Sequence, residues 1–335
     1  MKRILITGVH SYVGNAIGNY LEQYNRNAGE EHYRIDKISL RDGAWKTESW
    51  AGYDVVLHVA GLAHADVSKI TKEEQKRYYD INAGLTGEVA TKAASDGVGQ
   101  FMYCSSVIIY GESAGVGKTK VITADTKPTP ANFYGDSKLQ GEKAVLKVVE
   151  HLQGVQAISD IQNPEPMQGE LTGLEREQVV SSGAGTMQVA ILRLPMIYGK
   201  GSKGNFPVLV KLAKKMPVFP KISNQRSMLY IENLGEFVRQ LVDRGVGGIF
   251  YPQNEEYVTT TDVVKMIAKA RNKRISLWGI LNPFVKLASL MPGRIGKLAN
   301  KAFGSLTIDK ELSFHEIRDY QVCSFEESIR RSVSE

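Results

Sequence analysis

Over the first half of the chain, short apolar and β-branched runs alternate with longer stretches in which apolar residues return every three or four positions. The run Arg3-Ile4-Leu5-Ile6-Thr7 predicts a buried strand. Residues 13–24, with Val13, Ala16, Ile17, Tyr20 and Leu21 on one face, predict a helix. Further strands are expected at 38–40, 54–60, 100–105 and 188–192. Helices are expected over 72–94 and from Tyr134 onward, the latter carrying Lys138, Leu139, Glu142 and Val145. Strands alternating with helices predict an α/β fold with a doubly wound parallel sheet.

After Tyr198 the rhythm changes, Gly, Lys and Pro become frequent, and the elements shorten. Residues 1–198 are read as the nucleotide-binding domain and 199–335 as mostly a smaller C-terminal α/β substrate-binding cap. Residues 227–245 are expected to return to the main sheet. Residues 151–186 are polar and weakly periodic, an atypical insertion inside a compact domain and expected to be solvent-exposed. The basic stretch from Trp278 to Lys301 has an apolar face that suits a membrane surface. The expectation adopted for it is ordinary packing of cap helices.

Composition narrows the class. The 335-residue chain has a net charge of +6, balanced polar content and no disorder signature. Its two cysteines, Cys104 and Cys323, exclude a disulfide framework and offer no metal-ligand spacing, so a reducing compartment, the cytoplasm, and no metal are expected. No apolar run is long enough to span a bilayer, and the N-terminal run is too short for a signal-peptide core. Scattered cations without interleaved aromatics disfavour nucleic acid.

Three constellations carry chemistry. The segment Thr7-Gly8-Val9-His10-Ser11-Tyr12-Val13-Gly14 turns from the first strand into the first helix. Glycines there let the backbone approach a pyrophosphate, which the helix N-terminus receives. Ser11 stands where a dinucleotide fingerprint has its middle glycine, contributing an amide and a hydroxyl. Tyr134 and Lys138, four apart, share a helix face. An ammonium held close would lower the phenol pKa and fit Tyr134 to pass a proton. Ser105 and Ser106 end the fourth strand, at the edge of the sheet where ligands bind.

These residues resemble the extended short-chain dehydrogenase/reductase family of NAD-dependent epimerase/dehydratase type, with its Rossmann-type sheet, and in particular the bacterial nucleotide-sugar 4-epimerases and 4-ketoreductases. The resemblance also rests on Asp54 to Gly61, Asn82, Tyr110-Gly111, Arg193 to Gly199, and Arg226 to Leu234. It implies that Tyr134 is the acid/base, Lys138 its electrostatic partner and ribose ligand, and Ser106 the third catalytic residue, four before Tyr110. It implies a dinucleotide held by Gly8, Ser11, Tyr12, Val13, Gly14, Ala60, Gly61, Asn82 and Ser105, with Pro195 facing the nicotinamide. Ser106, Asn205 and Arg226 would hold a nucleotide-activated sugar, expected to be UDP-linked. A homodimer is expected by analogy.

Arg41 follows the second strand, where a cation accommodates the 2′-phosphate of NADP, whereas Asp42, one step on, would suit NAD. NADP(H) is favoured and NAD(H) stays open. Val107 and Ile108 follow Ser106 with no Asp-Glu pair, which disfavours dehydration. That leaves reduction of a UDP-4-keto-6-deoxyhexose in surface-polysaccharide synthesis as the first reading. A UDP-sugar 4-epimerase with tightly bound NAD is the second. A non-catalytic NAD(P)-sensing regulator is the alternative from another class.

Overall fold

The computed structural model describes residues 1–63, 70–153, 187–315 and 317–334. The chain divides into two compact units. The first comprises Met1–Tyr110, Lys127–Arg193 and Phe237–Phe250, and the second Gly111–Thr126, Leu194–Glu236 and Tyr251–Glu335. The division therefore interleaves more than a cut near residue 198 implies. Of the atypical segment at 151–186, all but the first three residues lie outside the described residues.

The first unit is built on a six-stranded sheet. Its strands are β1 (Lys2–Thr7), β2 (Tyr33–Ile38), β3 (Val55–His58), β4 (Gln100–Ser106), β6 (Gln188–Leu194) and β10 (Gly248–Phe250). They lie in the order β10-β6-β4-β3-β1-β2 as a central parallel sheet. Ile4, Val56, Leu57, Phe101, Met102 and Leu192 are completely buried, as strands covered on both faces require. From β1 the chain crosses to β2 on one side and then back past β1 to β3 on the other. That reversal opens a crevice at the C-terminal ends of β1 and β3, the place where such sheets take ligands.

Two elements differ from the sequence reading. The second strand ends at Ile38, where it was expected to begin. Arg34, Asp36 and Lys37 interrupt its apolar pattern because β2 is an edge strand with polar positions left toward solvent. The helix expected over 72–94 is α2 (Lys72–Tyr79) and α3 (Thr86–Ser95), joined by one wide π-type turn over Asp80–Leu85. Its start is fixed by a reciprocal cap, in which Thr71 receives the Glu74 amide and Glu74 the Thr71 amide.

The second unit contains three two-stranded parallel ribbons: β5 (Val121–Ile122) with β12 (Thr307–Ile308), β7 (Met196–Tyr198) with β9 (Met228–Tyr230), and β8 (Val218–Pro220) with β11 (Ser276–Trp278). Residues 228–231 were expected on the main sheet, but β9 pairs with β7 instead. The return is made by the helix after it (Ile231–Arg244), whose residues from Phe237 belong to the first unit and lead into β10. Among the described residues no helix is long and apolar enough to cross a membrane.

Candidate active site

The turn after β1 is shaped by Gly8, whose φ of 86° is open to glycine and strained for other residues. A Cβ there would stand 3.2 Å from the Ala60 backbone. The Gly8 amide donates to the Ile38 carbonyl at 3.0 Å, tying the ends of β1 and β2 together. Ser11 is the N-cap of α1 (Tyr12–Ala28): its Oγ accepts the Gly14 amide at 3.2 Å, and its own amide donates back to Gly8 at 2.8 Å. The hydroxyl expected at the phosphate thus caps the helix. Among the described residues the Val13 amide has no acceptor, leaving a helix N-terminal donor for an anion. At Gly14 a Cβ would meet Val59 at 2.7 Å and Ile6 at 3.0 Å, so glycine lets α1 lie directly on the sheet.

Asn82, fully buried in the π-type turn, holds the chain after β3. Its Oδ1 accepts the Leu62 amide at 2.8 Å, and its Nδ2 donates to the Leu62 carbonyl at 3.1 Å and to Ser137 Oγ at 3.0 Å. Ala60 and Gly61 are thereby fixed next to Lys138: a Cβ on Gly61 would stand 3.3 Å from Lys138 Nζ and 3.0 Å from Asn82 Oδ1. A dinucleotide fits this arrangement, since glycine at positions 8 and 61 keeps side chains off the turn after β1 and the chain after β3, beside a helix amide with no acceptor among the described residues. Gly8, Val13, Ala60 and Gly61 are the residues that could hold it, with Lys138 beside Gly61.

The helix α4 (Phe133–Gln153) presents Tyr134, Lys138 and Glu142 at four-residue spacing. Asn132 caps it, its Oδ1 accepting the amides of Tyr134 and Gly135 at 3.1 Å each. At Gly135 a Cβ would meet the Ile108 carbonyl at 2.8 Å, so the first turn of α4 packs against the segment just past Ser106. Lys138 is buried, and its Nζ donates to the Cys104 carbonyl at 3.0 Å and lies 4.9 Å from the centre of the Tyr103 ring. At Gly141 a side chain would collide with the Asn82 carbonyl and the Tyr103 hydroxyl, so α4 and the π-type turn meet only through glycine.

Electrostatics differ from the expectation of a lysine-activated phenol. Burial pushes the Tyr134 hydroxyl up to about 12, with the neighbouring Tyr78 adding to it, and the Lys138 ammonium is turned to the Cys104 carbonyl. Four-residue spacing puts two residues on one face, but their side chains reach different neighbours. Tyr134 is therefore a neutral phenol at physiological pH. Burial also pulls the Lys138 ammonium down to about 8.

Between that value and the unfolded lysine pKa near ~10.4 the folded chain binds fewer protons than the unfolded chain, so stability rises with pH across that window. Below about 8 the full cost, roughly 3 kcal/mol, is present. Lys138→Met removes it and loses one hydrogen bond. The variant should be more stable at pH 7 by about 2 kcal/mol, with the gap closing as pH rises above 8. Urea unfolding of both proteins from pH 7 to 10 measures this.

Ser105 was expected at the cofactor. Its buried hydroxyl donates instead to Glu142 Oε1. Ser106 is half-buried and accepts the Ile108 amide at 3.3 Å. Arg41 is exposed, and among the described residues its guanidinium has no partner; Asp42, also exposed, accepts the Ala44 amide at 3.2 Å. Pro195, Asn205 and Arg226 belong to the second unit. Pro195 is buried directly after β6, and Asn205 is exposed as the first residue of the helix Asn205–Lys215. Arg226 donates to the Lys301 carbonyl, while its buried Nε has no acceptor among the described residues, an open donor for an anionic group.

One network escaped the sequence reading. Arg193 Nη2 meets Glu142 Oε2 at 2.7 Å, with both side chains almost wholly buried, and Arg193 Nη1 donates to the Tyr110 hydroxyl at 2.5 Å. Ser105, Glu142, Arg193 and Tyr110 thus join the ends of β4 and β6 to α4. The signal was present as an acid four residues beyond Lys138. His58, likewise unassigned, bridges Thr7 at 2.8 Å and Thr86 at 3.0 Å, and burial holds it neutral, down to about 3.

A dinucleotide-fitted crevice with a tyrosine, a lysine and a strand-end serine around it defines an enzyme of the extended short-chain dehydrogenase/reductase type. Residues 4–161 match the model of the NAD dependent epimerase/dehydratase family.

It is 26% identical over 262 residues to UDP-glucose 4-epimerase of Vibrio cholerae, covering 76% of this chain and 68% of the relative. It is 24% identical to methionine adenosyltransferase 2 subunit beta of Rattus norvegicus (81% and 72%). It is 22% identical to N-acetyl-alpha-D-glucosaminyl-diphospho-ditrans,octacis-undecaprenol 4-epimerase of Escherichia coli O157:H7 (90% and 82%). In fold it matches UDP-glucuronic acid 4-epimerase from Bacillus cereus in complex with NAD, with a TM-score of 0.64 at 15% identity over 99% and 95% of the two chains. It also matches dTDP-4-dehydrorhamnose reductase from Bacillus anthracis in complex with NADP, with a TM-score of 0.61 at 17% identity over 99% of each.

Proposed function

We propose that the protein is an NAD(P)-dependent oxidoreductase working at C4 of a nucleotide-activated sugar, and that its reaction is reduction of a UDP-4-keto-6-deoxyhexose. The observation that carries this reading is the position of Tyr134 in the capped first turn of α4, packed against the segment that follows Ser106, where burial keeps its phenol protonated. A bound nicotinamide dinucleotide supplies the hydride exchange. Tyr134 gives its proton to the C4 oxygen as negative charge develops there, and Ser106 holds that oxygen by a hydrogen bond. Lys138, charged below pH about 8, sits beside Gly61 to hold the cofactor ribose. Arg226, with its unpaired Nε, holds the sugar's diphosphate. A phenol in its acid form suits the reductive direction, where a proton must be given.

For the cofactor the reading is NADP(H). Arg41, exposed and without a partner among the described residues, is the cation available after β2, while Asp42 is committed to the Ala44 amide. Arg41→Ala should weaken NADPH binding by about tenfold or more and leave NADH nearly unchanged, as titration of nicotinamide fluorescence would show. Equal losses for both cofactors would remove Arg41 from the site.

A second reading, 4-epimerisation of a UDP-sugar with retained NAD, is favoured by the Vibrio cholerae relative and the NAD-bound Bacillus cereus structure. Denaturing the protein as purified and identifying the released dinucleotide separates the two. Stoichiometric NAD supports epimerisation, and an empty protein that takes up NADPH supports reduction.

A further inference from the structure

The stretch Trp278 to Lys301, expected to pack as ordinary cap helices, is a hairpin with an uncovered apolar face. Its helices, α8 (Asn282–Leu290) and α9 (Arg294–Phe303), are pinned to each other. Asn300 Nδ2 donates to the Ser289 carbonyl at 3.1 Å, and Gly296 leaves room for the Met291 carbonyl. The hairpin is also fixed to its own unit, since Asn282 Nδ2 donates to the Lys221 carbonyl at 2.6 Å and β11 pairs with β8 just before it.

Yet of twelve exposed large hydrophobic side chains among the described residues, eight lie between Trp278 and Leu298. Ile280, Phe284, Leu287, Leu290 and Leu298 are each between 64% and 74% exposed. Phe284, Leu287 and Leu290 recur at three-residue spacing along one side of α8, and Ile295 and Leu298 do so along α9. Apolar surface of this extent and continuity on a folded unit marks a contact site.

Charge selects the occupant. From residue 263 to residue 308 there are nine lysines and arginines and no acid. Four of these, Lys286, Arg294, Lys297 and Lys301, lie on the hairpin itself, which carries no acid. A two-fold contact with a second copy would set this cationic face against itself. An anionic bilayer offers both things the face lacks: acyl chains for the leucines and phenylalanine, and phosphates for the cations. Neither helix is long enough to cross, so the geometry is that of a hairpin lying in the interfacial layer.

We propose that this hairpin docks the protein on the surface of an anionic lipid bilayer, with Phe284, Leu287, Leu290 and Leu298 entering the headgroup–acyl boundary. The Lys301 carbonyl at the end of α9 is the acceptor that holds Arg226, so the docking element and the arginine assigned to the diphosphate are in contact. The inference goes beyond the proposed reaction and does not depend on it, because its test uses no sugar and no turnover.

Trp278 is half exposed, whereas Trp45 and Trp50 are buried, so quenching by lipids brominated on their acyl chains reports Trp278 selectively. The full-length protein is mixed with phosphatidylglycerol–phosphatidylcholine vesicles or with pure phosphatidylcholine vesicles and analysed by flotation and by this quenching. The expected result is flotation and quenching on the anionic vesicles, weakened by added salt and on pure phosphatidylcholine. Replacing the exposed pair by Leu287→Ser and Leu290→Ser should weaken partition by roughly tenfold or more, with dinucleotide binding and melting temperature retained. No association with anionic vesicles at low salt would overturn the proposal. So would a solution dimer that the double substitution dissociates while vesicles stay unbound, which would assign the face to a second copy.

Discussion

Tyr134→Phe should lower kcat by roughly two to four orders of magnitude while leaving KM and the unfolding midpoint close to those of the unaltered protein. The change removes one oxygen, which in the proposed reaction is the proton source for the C4 oxygen. The ring itself stays, so its edge-on contact with Tyr78, at a centroid separation of 6.0 Å, is kept. A kcat effect without a KM effect is the signature of a group used in the transition state more than in binding. Steady-state kinetics on the 4-keto sugar measure it. If turnover survived the substitution, Tyr134 would not be the proton donor.

The second large effect is on stability. Arg193→Met should cost about 3–5 kcal/mol, because it leaves the Glu142 carboxylate buried with a single hydroxyl donor, Ser105, in place of the guanidinium. The Glu142 and Arg193 side chains are 2% and 7% exposed, so water cannot take over the lost contacts. Losing the pair also frees the ends of β4 and β6 from α4, so cofactor affinity should fall together with stability. The double variant Glu142→Met/Arg193→Met tests the physical cause: with both charges gone, most of the loss should be recovered. Guanidinium unfolding of the two variants decides between an uncompensated charge and a simple packing defect.

Legibility in the sequence followed the range of the interactions concerned. Wherever an element is buried on both faces, as in β1, β3 and β4, the apolar run alone placed it within a residue or two. The edge strand β2 carries Arg34, Asp36 and Lys37, so only its last residue looked strand-like. The wide turn at Asp80–Leu85 was invisible because it preserves the apolar period of the helices on either side. It became apparent only through what it accommodates, Asn82 clasping Leu62.

The pair Tyr134 and Lys138 was legible from local spacing. The assumption that shared face means shared electrostatics was not secure, since Lys138 turns to a strand carbonyl 34 residues away in sequence. Glu142, Arg193 and Tyr110 meet only in three dimensions, across 51 and 83 residues, and no period in the chain announces such a meeting. The hairpin at 282–303 shows the opposite case. Its amphipathic and acid-free pattern was plain in the sequence, but whether the apolar face was covered depended on the tertiary structure.

The most direct test of the central claim is to follow the label from NADPH deuterated at the transferable position of the nicotinamide. The purified protein is incubated with this cofactor and a UDP-4-keto-6-deoxyhexose, and the sugar is analysed by mass spectrometry and NMR. One deuterium at C4 of the product sugar is expected for each NADPH oxidised, with this transfer lost in Tyr134→Phe. A sugar recovered unlabelled and unreduced, from a protein shown to bind NADPH, would contradict it.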